Sequence, residues 1–438
     1  MKKRLSPKFL LALTLFSLIG QIAWVVENMY LNVFIYNMFS ADAGAISLMV
    51  GASAVSAAVT TVFIGALSDK LGKRKVFMCG GYILWGVSIL GFTLLRVDIL
   101  KAVFPFASAA VLGVAFTIAL DVIMTFFGSS ANDAAFNAWL TDSTSEASRG
   151  TAEGINAMMP LVAILAVFGG FMAFDLTLPR SWTVIFIIIG IVVILVGILG
   201  FFIIKEPKLE PAKEGYFKTV IYGFLPSTIK KSPTLYLYLG GFIIFNIAIQ
   251  IFMPYLIIYY ERSLGMSNYV FIMAPAIIIA SVATVLFGKL YDKRGFVLSS
   301  SISIGLLALG FLTLFIFKHT VPVFIGSLLM MCGYLAGMAV FGAKIRDLTP
   351  LGKAGMLQGV RIFSQVLVPG VVGPFIGKLV LSGAEQIENS DGTYSFLPNE
   401  FIFLAALITT VILAIYLITL FLVKRKKNKK ESATNSSI

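Results

Sequence analysis

Long apolar stretches of about 20 residues alternate with short polar segments along the whole chain. A helix of about 20 residues crosses about 30 Å of hydrocarbon and satisfies its own backbone hydrogen bonds there. The pattern therefore predicts an all-α polytopic membrane protein with twelve transmembrane helices. We place the spans at 9–36, 44–67, 76–96, 115–141, 151–174, 181–204, 234–258, 268–288, 296–317, 321–343, 354–382 and 400–423.

Composition and charge agree with a chain embedded in lipid. Hydrophobic residues make up 58% and charged residues 13% of the 438 residues, which excludes an ordinary water-soluble domain. The net charge of +13 does not indicate a nucleic-acid partner, because most Lys and Arg residues fall in segments on one side of the predicted spans. By the positive-inside rule, both termini face the cytoplasm. We expect a multi-pass protein of the plasma membrane that contacts lipid and no nucleic acid.

Two repeated segments indicate that the chain consists of two related halves. GALSDKLGKRK at Gly65–Lys75 has a weaker copy, GKLYDKRG, at Gly288–Gly295, and WLTDSTSEASRGTAEG aligns with the later KIRDLTPLGKAGMLQG. Internal repeats of this kind predict two pseudo-symmetric six-helix bundles. The predicted organisation is a first bundle at 1–204, a cytoplasmic linker at 205–233, a second bundle at 234–423 and a basic cytoplasmic tail at 424–438.

The first half carries extra residues between these two repeated segments, around 98–116. An additional span there would invert the topology of everything downstream and put the basic loops outside. We therefore expect an outer interfacial segment followed by an elongated helix 4.

The segment GALSDKLGKRK fits the pattern G-x-x-x-D-x-x-G-[RK]-[RK] between helices 2 and 3. In this motif the chain resembles the major facilitator superfamily, fully in the first half and partially in the second. The resemblance implies two halves that rock around a central site formed by helices 1, 4, 7 and 10. The turn glycine permits positive φ, and the aspartate can meet a helix N-terminus or a basic side chain. We predict a gate-stabilising role, rather than that of an ordinary charged loop, for Asp69, Gly72, Lys73, Arg74 and Asp292.

Helix 4 carries a second and looser resemblance. Its sequence NDAAFNAWLTDSTSEASRG is similar to that of the glycoside-pentoside-hexuronide:cation symporters and of the sucrose/proton symporters, best over helices 1 to 5. The resemblance implies that Asp133 stands where the first of these families has a sugar-binding aspartate. The chain has Gln21, Ala57 and Thr61 where the sodium-using family places aspartates. This departure argues against a sodium site of that kind.

Polar residues inside the predicted spans mark candidate solute contacts, because such residues are costly in lipid and usually face water or a partner. Helix 1 carries them on one stripe with a tryptophan, and helices 4, 7 and 11 carry others at depth. Amides donate to and accept from hydroxyls, and an indole stacks on a sugar ring. The predicted substrate-binding residues are Gln21, Trp24, Asn28, Asn32, Asn132, Asp133, Asn137, Asn246, Gln250 and Arg361. Amide bonding between helices is the alternative role for this set.

Two carboxyls are candidates for ion coupling. Asp133 is predicted to bind solute hydroxyls or a coupled proton, with a structural pair or cap as the alternative. Glu27 lies at the edge of the helix 1 stripe and is either a proton-titrating carboxyl or the partner of a cation such as Arg361. One His and two Cys do not form metal-site spacing, and there is no Walker A loop. We expect no metal, no cofactor and no ATP-driven transport within the chain.

These features favour a secondary active transporter, not an enzyme, that moves a small polar solute by alternating access. The helix 4 resemblance and the stripe of amides and tryptophan favour a sugar or glycoside moved by proton symport, with sodium as the alternative coupling ion. The many Phe and Met residues leave open an exporter of amphipathic compounds or a lysolipid transporter. A non-transporting membrane receptor or scaffold is an alternative of another class. We expect a monomer.

Overall fold

The computed structural model describes residues 6–144, 146–205, 221–266, 268–350, 354–388 and 394–435. Almost all of this part of the chain is helical. We number its long helices in chain order: α1 Pro7–Phe39, α2 Ala43–Leu71, α3 Lys75–Leu94, α4 Ala109–Asp142, α5 Glu146–Phe171, α6 Pro179–Ile203, α7 Pro233–Ser263, α8 270–294, α9 296–316, α10 Thr320–Leu348, α11 354–383 and α12 Phe401–Asn435.

The twelve predicted spans each correspond to one of these helices. Ten helices in the described part of the chain are long and apolar enough to cross a membrane, and one of them, Val270–Ile316, contains two predicted spans. These two, α8 and α9, meet at Gly295, whose φ of 75° and ψ of −174° interrupt the helix. The remaining span is α5, whose described apolar part is Ile155–Phe171. The prediction of an all-α polytopic membrane protein is confirmed.

The extra residues of the first half form the elongated helix that the sequence predicts. A short helix, Val97–Val103, precedes α4, which begins at Ala109 rather than at the predicted residue 115. Ser108 starts α4 because its hydroxyl accepts the backbone N–H of Val111 at 3.4 Å. The segment adds no further span, so the alternation of the helices is preserved.

The boundaries between the predicted domains remain predictions. Residues 206–220 of the linker lie outside the described residues, and so do the side chains of the basic tail from residue 424 onward. The described end of the linker has a 3₁₀ turn at Tyr222–Phe224 and a short helix at Pro226–Lys231. Phe224 packs edge-on against Phe363 of α11, with ring centroids 5.7 Å apart. The linker therefore contacts α11 of the second half.

Four of the long helices contain a π-helical segment. These segments are Val26–Tyr30 in α1, Ser129–Phe136 in α4, Tyr259–Ser263 in α7 and Phe363–Leu367 in α11. A π turn inserts an extra residue into an α-helix and rotates the residues that follow it, and such turns are frequent at functional sites. The four helices that carry them all border the space between the halves.

Glycines allow the closest helix contacts. A Cβ added at Gly310 of α9 would lie 2.4 Å from the backbone N of Met330 in α10. A Cβ added at Gly370 of α11 would lie 2.4 Å from the Cβ of Ala54 in α2. Small residues of this kind let membrane helices pack backbone to backbone. The second contact brings the two halves together beside the central cavity.

The two ends of the bundle differ in charge and in the contacts between the halves. We call the end with the basic loops 70–75 and 289–294 the basic end, and the end with the loops 40–42, 172–178 and 264–269 the opposite end. Hydrogen bonds between the halves lie at the opposite end. They join Tyr30 to Tyr269 at 2.8 Å, Tyr36 to the carbonyl of Phe396 at 2.7 Å, Arg262 to Asn37 at 2.8 Å and Tyr255 to the carbonyl of Ala43 at 3.1 Å.

A small hairpin adds to the closure of the opposite end. Strands β1 Gln386–Glu388 and β2 Tyr394–Phe396 pair antiparallel between α11 and α12, with Gln386 opposite Phe396. The buried ring of Phe396 lies 5.4 Å from that of Tyr36 in α1 and 6.1 Å from that of Tyr255 in α7. The hairpin thus reaches from the second half onto the first.

Candidate functional site

A cavity of about 460 Å³ lies between the halves. Small-ligand pockets span about 300 to 1,000 Å³, so this volume suits a small solute. Residues of α1, α2, α4 and α5 line it from the first half, and residues of α7, α8, α10 and α11 line it from the second. The cavity is therefore shared by both halves, on the basic side of the hydrogen bonds that join them.

The cavity brings together many of the polar residues that the sequence singles out. The predicted residues that line it are Gln21, Trp24, Glu27, Asn28, Asn32, Asp133, Asn246 and Gln250. The residues Asn132, Asn137 and Arg361 are not part of the described lining. Ser53, Asp121, Thr125, Tyr334 and Gln365 also line the cavity and are absent from the predicted set.

Three asparagines of the lining donate their amide nitrogens to their own helices. Asn28 donates its Nδ2 to the carbonyl of Trp24 at 2.8 Å, and Asn32 donates to the carbonyl of Asn28 at 3.0 Å. Asn246 donates to the carbonyl of Phe242 at 2.8 Å. The Oδ1 of Asn32 has no hydrogen-bond partner within the described residues, but Asn32 is fully buried. Asn28 is exposed, so its amide is the one of these three that is most open to the hydroxyls of a solute.

Trp24 supplies an aromatic wall. Its ring lies 5.0 Å from that of Trp85 in α3 at an angle of 50°. Trp85 is fully buried, whereas Trp24 is only partly buried and faces the cavity. Trp85 therefore fixes the position of an indole that presents its surface to the solute.

Two buried carboxyls and two hydroxyls form a cluster that we call the carboxyl cluster: Glu27, Ser53, Asp121 and Thr125. The hydroxyl of Thr125 lies 2.7 Å from Glu27 Oε1 and 2.8 Å from the backbone carbonyl of Asp121, and the hydroxyl of Ser53 donates to Asp121 Oδ2. Glu27 is 6% exposed and Asp121 is 2% exposed. Their second oxygens, Glu27 Oε2 and Asp121 Oδ1, have no partner among the described residues. In the described part of the chain, neither carboxyl forms an ion pair, which is costly unless a ligand or proton binds.

Asp133 stands apart from that cluster on the π-helical segment of α4. Ser129 donates to its Oδ2 at 3.0 Å, and the carboxyl is only partly buried. Asn137, one turn further, points to the backbone instead and donates to the carbonyl of Asp133 at 3.1 Å. Asp133 is therefore the carboxyl that is most open to a solute in the cavity.

Asn132 and Arg361 occupy other environments. Asn132 is buried and donates its Nδ2 to the hydroxyl of Tyr82 at 2.7 Å, and Tyr82 donates to the carbonyl of Phe16 at 2.5 Å. Arg361 is partly buried in α11. Among the described residues, no ion pair joins Arg361 to Glu27. The carboxyl instead accepts a hydrogen bond from α4.

The predicted gating loop of the first half is held by one arginine. Buried Arg74 forms ion pairs with Asp69 and, at 2.9 Å, with Asp142 at the end of α4, and it also donates to Ser68. Gly72 makes the turn with φ 62° and ψ 23°. Lys73 is exposed. Arg74 thus ties the α2–α3 turn to the basic end of α4.

The matching loop of the second half is built differently. Asp292 is exposed, and Gly295 has a positive φ like Gly72. The hydroxyl of Tyr291 donates to Asp347, the counterpart of Asp142. Val297 stands where the repeat would place an arginine. The second half therefore keeps the turn and the aspartates but not the arginine that links them.

The described residues contain no group of three or more His, Cys, Asp or Glu side chains arranged to hold a metal ion. Cys79 and Cys332 are buried and are not joined in a disulfide. The site accordingly offers oxygen and aromatic groups for reversible binding.

Comparisons with known proteins identify a family from the sequence and several transporters of similar fold. The sequence profile of the Major Facilitator Superfamily matches residues 9–374. The fold is similar to that of a bacterial homolog of the human lysosomal transporter Spinster in an inward-facing, unoccupied conformation, with a TM-score of 0.70 and 16% identity over 94% of this chain and 97% of the other. It is also similar to a variant of the nucleoside transporter NupG, with a TM-score of 0.71 and 12% identity over 94% and 99% of the two chains. A D-xylose–proton symporter has a TM-score of 0.69 and 16% identity over 93% and 97%.

A comparison with curated protein sequences gave no match. The structural likenesses, all below 25% identity, concern the fold alone. The profile match extends from α1 into α11 and therefore covers both halves. The chain belongs to the Major Facilitator Superfamily and is a membrane transporter rather than an enzyme.

Proposed function

We propose that the protein is a secondary active transporter that moves a small polar solute, a sugar or glycoside, together with a proton by alternating access. The observation that carries the proposal is one cavity in which both halves place amides, an indole and carboxyls. The D-xylose–proton symporter of similar fold supports a solute and a cosubstrate of this kind.

The solute would lie between Trp24 on one side and amides from both halves on the other. Gln21 and Asn28 come from α1, and Asn246 and Gln250 come from α7. Hydroxyls of a sugar both donate and accept, which amides match, while the apolar face of the ring stacks on an indole. Because both halves contribute, binding would couple the solute to their relative movement.

The coupled proton would bind at Glu27 or at Asp133. Neither carboxyl has an ion-pair partner among the described residues, and a proton removes the cost of an unpaired charge in a membrane interior. Glu27 belongs to the carboxyl cluster, whereas Asp133 is open to the cavity. We propose that Glu27 mainly binds the proton and that Asp133 mainly binds the solute.

We infer that the basic end faces the cytoplasm of the plasma membrane, because positively charged loops remain on that side during insertion. Hydrogen bonds between the halves lie at the opposite end. In this orientation the structure corresponds to a state closed toward the outside. We propose that the Arg74 ion pairs with Asp69 and Asp142 hold the first half together as a unit when the halves rock.

Uptake into proteoliposomes tests the function. The expected result is that a radiolabelled sugar or glycoside enters faster when an inward proton gradient is imposed, and that Asp133→Asn, which lacks the solute-binding carboxyl, loses the uptake itself. Asp98→Asn is the matched control, because Asp98 lies outside the cavity in an exposed pair with Arg96 at 2.8 Å. Binding of a sugar without any uptake would instead favour a receptor.

A second candidate, movement of amphipathic compounds or lysolipids, is favoured by the methionines of the lining. Met29, Met49, Met253, Met331 and Met338 all face the cavity, and flexible methionines adapt to varied apolar ligands. Stabilisation of the purified protein by lysolipids, equal in the parent and in Asp133→Asn, would favour this candidate over a sugar.

A further inference from the structure

The described lining of the cavity contains carboxyl groups and no basic side chain. Three carboxyls line it, Glu27, Asp121 and Asp133, and no Lys, Arg or His is among its described lining residues. Arg361, which the sequence places at this depth, is not in that lining. A solute in the cavity therefore meets three carboxyls that no basic side chain of the described lining balances.

Two of these carboxyls have oxygens that lack partners. Glu27 Oε2 and Asp121 Oδ1 are buried at the cavity and accept no hydrogen bond from the described residues, while their other oxygens accept from Thr125 and Ser53. These two oxygens are closed to solvent, so they lie beside the cavity without offering a direct contact to a solute. An ammonium group has three donors and no acceptor, which fits a cavity lined by carboxyls, whereas a carboxylate or phosphate has only acceptors.

Asp133 provides the accessible contact point. Among the described residues, it accepts one side-chain hydrogen bond, from Ser129 at 3.0 Å. It lines the same cavity as Trp24 and Tyr334. Aromatic rings attract a cation placed over their faces. The cavity therefore contains an accessible carboxyl, Asp133, and two aromatic rings, those of Trp24 and Tyr334.

We infer that the transported solute carries a protonated amine, as an amino sugar or amino glycoside does, and that the cavity rejects anionic solutes. This inference rests on the proposed function, in which the solute binds in this cavity. It narrows the solute class, since uronic acids, sugar phosphates and lysolipids with a net negative charge are excluded.

A set of sugars that share one ring and differ in charge tests the inference. Dissociation constants are measured by thermal shift on the purified full chain at pH 7 for D-glucosamine, N-acetyl-D-glucosamine, D-glucose and D-glucuronate. Glucosamine is expected to bind at least tenfold more tightly than its N-acetyl derivative, because a charge-assisted hydrogen bond is lost on acetylation. Glucuronate is expected not to bind. Equal binding of the amine and its acetylated form, or binding of glucuronate, would overturn the inference.

Variants locate the contact. Asp133→Asn should remove the preference for the amine over the neutral sugars, whereas Ser129→Ala, which keeps the carboxyl, should retain the preference. A charge-introducing variant, Gln250→Lys, places a cation in the same cavity and should abolish amine binding even if Asp133→Asn proves unstable. Retention of the amine preference in both Asp133→Asn and Gln250→Lys would count against the site.

A second series separates this inference from the sugar proposal. Phenethylamine, phenethyl alcohol and phenylacetate have one common ring and carry positive, zero and negative charge. If no sugar binds but phenethylamine binds at least tenfold more tightly than the other two, the sugar proposal is wrong and the amine inference stands. If no cationic member of either series binds, the inference fails.

Discussion

Replacement of Tyr30 by phenylalanine should open the opposite end of the protein. Tyr30 of α1 is fully buried, and its hydroxyl lies 2.8 Å from that of Tyr269 at the start of α8. The ring of Tyr30 packs on Phe171 at 4.3 Å, and Phe168 lies 6.0 Å from both tyrosine rings. Tyr30→Phe keeps this ring packing and removes only the hydroxyl. It also leaves the buried hydroxyl of Tyr269 without that partner while the halves are together.

The magnitude follows from that loss. A buried polar group left without its partner costs about 1 to 3 kcal/mol, and the cost disappears in any state in which water reaches Tyr269. The ratio of the state open at this end to the closed state should therefore rise about 5-fold to 150-fold, at about 1.4 kcal/mol for each factor of ten. Removal of both hydroxyls, in Tyr30→Phe with Tyr269→Phe, should shift the ratio less than Tyr30→Phe alone, because two apolar partners leave nothing unsatisfied.

Tyr260→Phe is the matched control. The hydroxyl of Tyr260 lies 2.7 Å from that of Ser327, and the residue is equally buried, but both partners belong to the second half. Its loss should lower the melting temperature without changing the ratio of states. Double electron–electron resonance between labels at exposed Leu178 and Val321 measures the ratio across the opposite end. A change for Tyr30→Phe no larger than that for Tyr260→Phe would refute the role of this contact.

Three further predictions concern stability. Gly20→Ala should lower the melting temperature by an amount equivalent to about 1 to 3 kcal/mol, because its Cβ would lie 2.2 Å from the nearest side-chain atom. The control Gly80→Ala, whose Cβ would have no atom within 4 Å, should be neutral. Equal melting temperatures of the two variants would contradict this prediction. Arg74→Lys should cost about 1 kcal/mol in chemical unfolding, since an ammonium cannot reproduce a two-aspartate fork that is partly open to solvent; an unchanged unfolding free energy would count against the fork. Thr177 donates its hydroxyl and its N–H to Asp175 and so lowers the pKa of that carboxyl. The stabilisation from this carboxylate is present above the unfolded pKa of about 3.9 and is lost as the pH falls through the lowered folded-state pKa. Melting temperatures recorded from pH 6 to pH 3 should therefore fall less in Thr177→Ala than in the parent. Coincident profiles of melting temperature against pH would argue against this role of Thr177.

The fold could be predicted from the sequence because span length is set by the membrane and not by tertiary contacts. Each predicted span has its helix, including α8 and α9, which Gly295 separates. Helix ends were harder to place. The start of α4 depends on a cap by Ser108, and the end of α7 on a π-helical segment, Tyr259–Ser263, and neither changes the hydropathy of the chain.

The membership of the site was only partly predictable. A helical wheel assumes 100° per residue, but the π-helical segment Ser129–Phe136 rotates one part of α4 against the other. The helical wheel therefore does not predict that the side chain of Asn132 turns away from the cavity and donates to the hydroxyl of Tyr82. Ser53 of α2 resembles any small polar packing residue in the sequence, and only tertiary structure shows that it donates to Asp121. The spacing of Asp121 and Thr125, one turn apart on one face, was a signal that could have added both to the set.

The hydrogen bonds at the opposite end have a consequence for the medium in which the protein works. Apart from the bond from Arg262, these bonds link tyrosine hydroxyls to carbonyls or to one another, so they join neutral dipoles. Ionic strength screens interactions between charges over a Debye length of about 8 Å at 0.15 M, and it leaves bonds between neutral groups almost unchanged. The closed state should therefore persist at nearly the same population whether the solution at that face is dilute or saline.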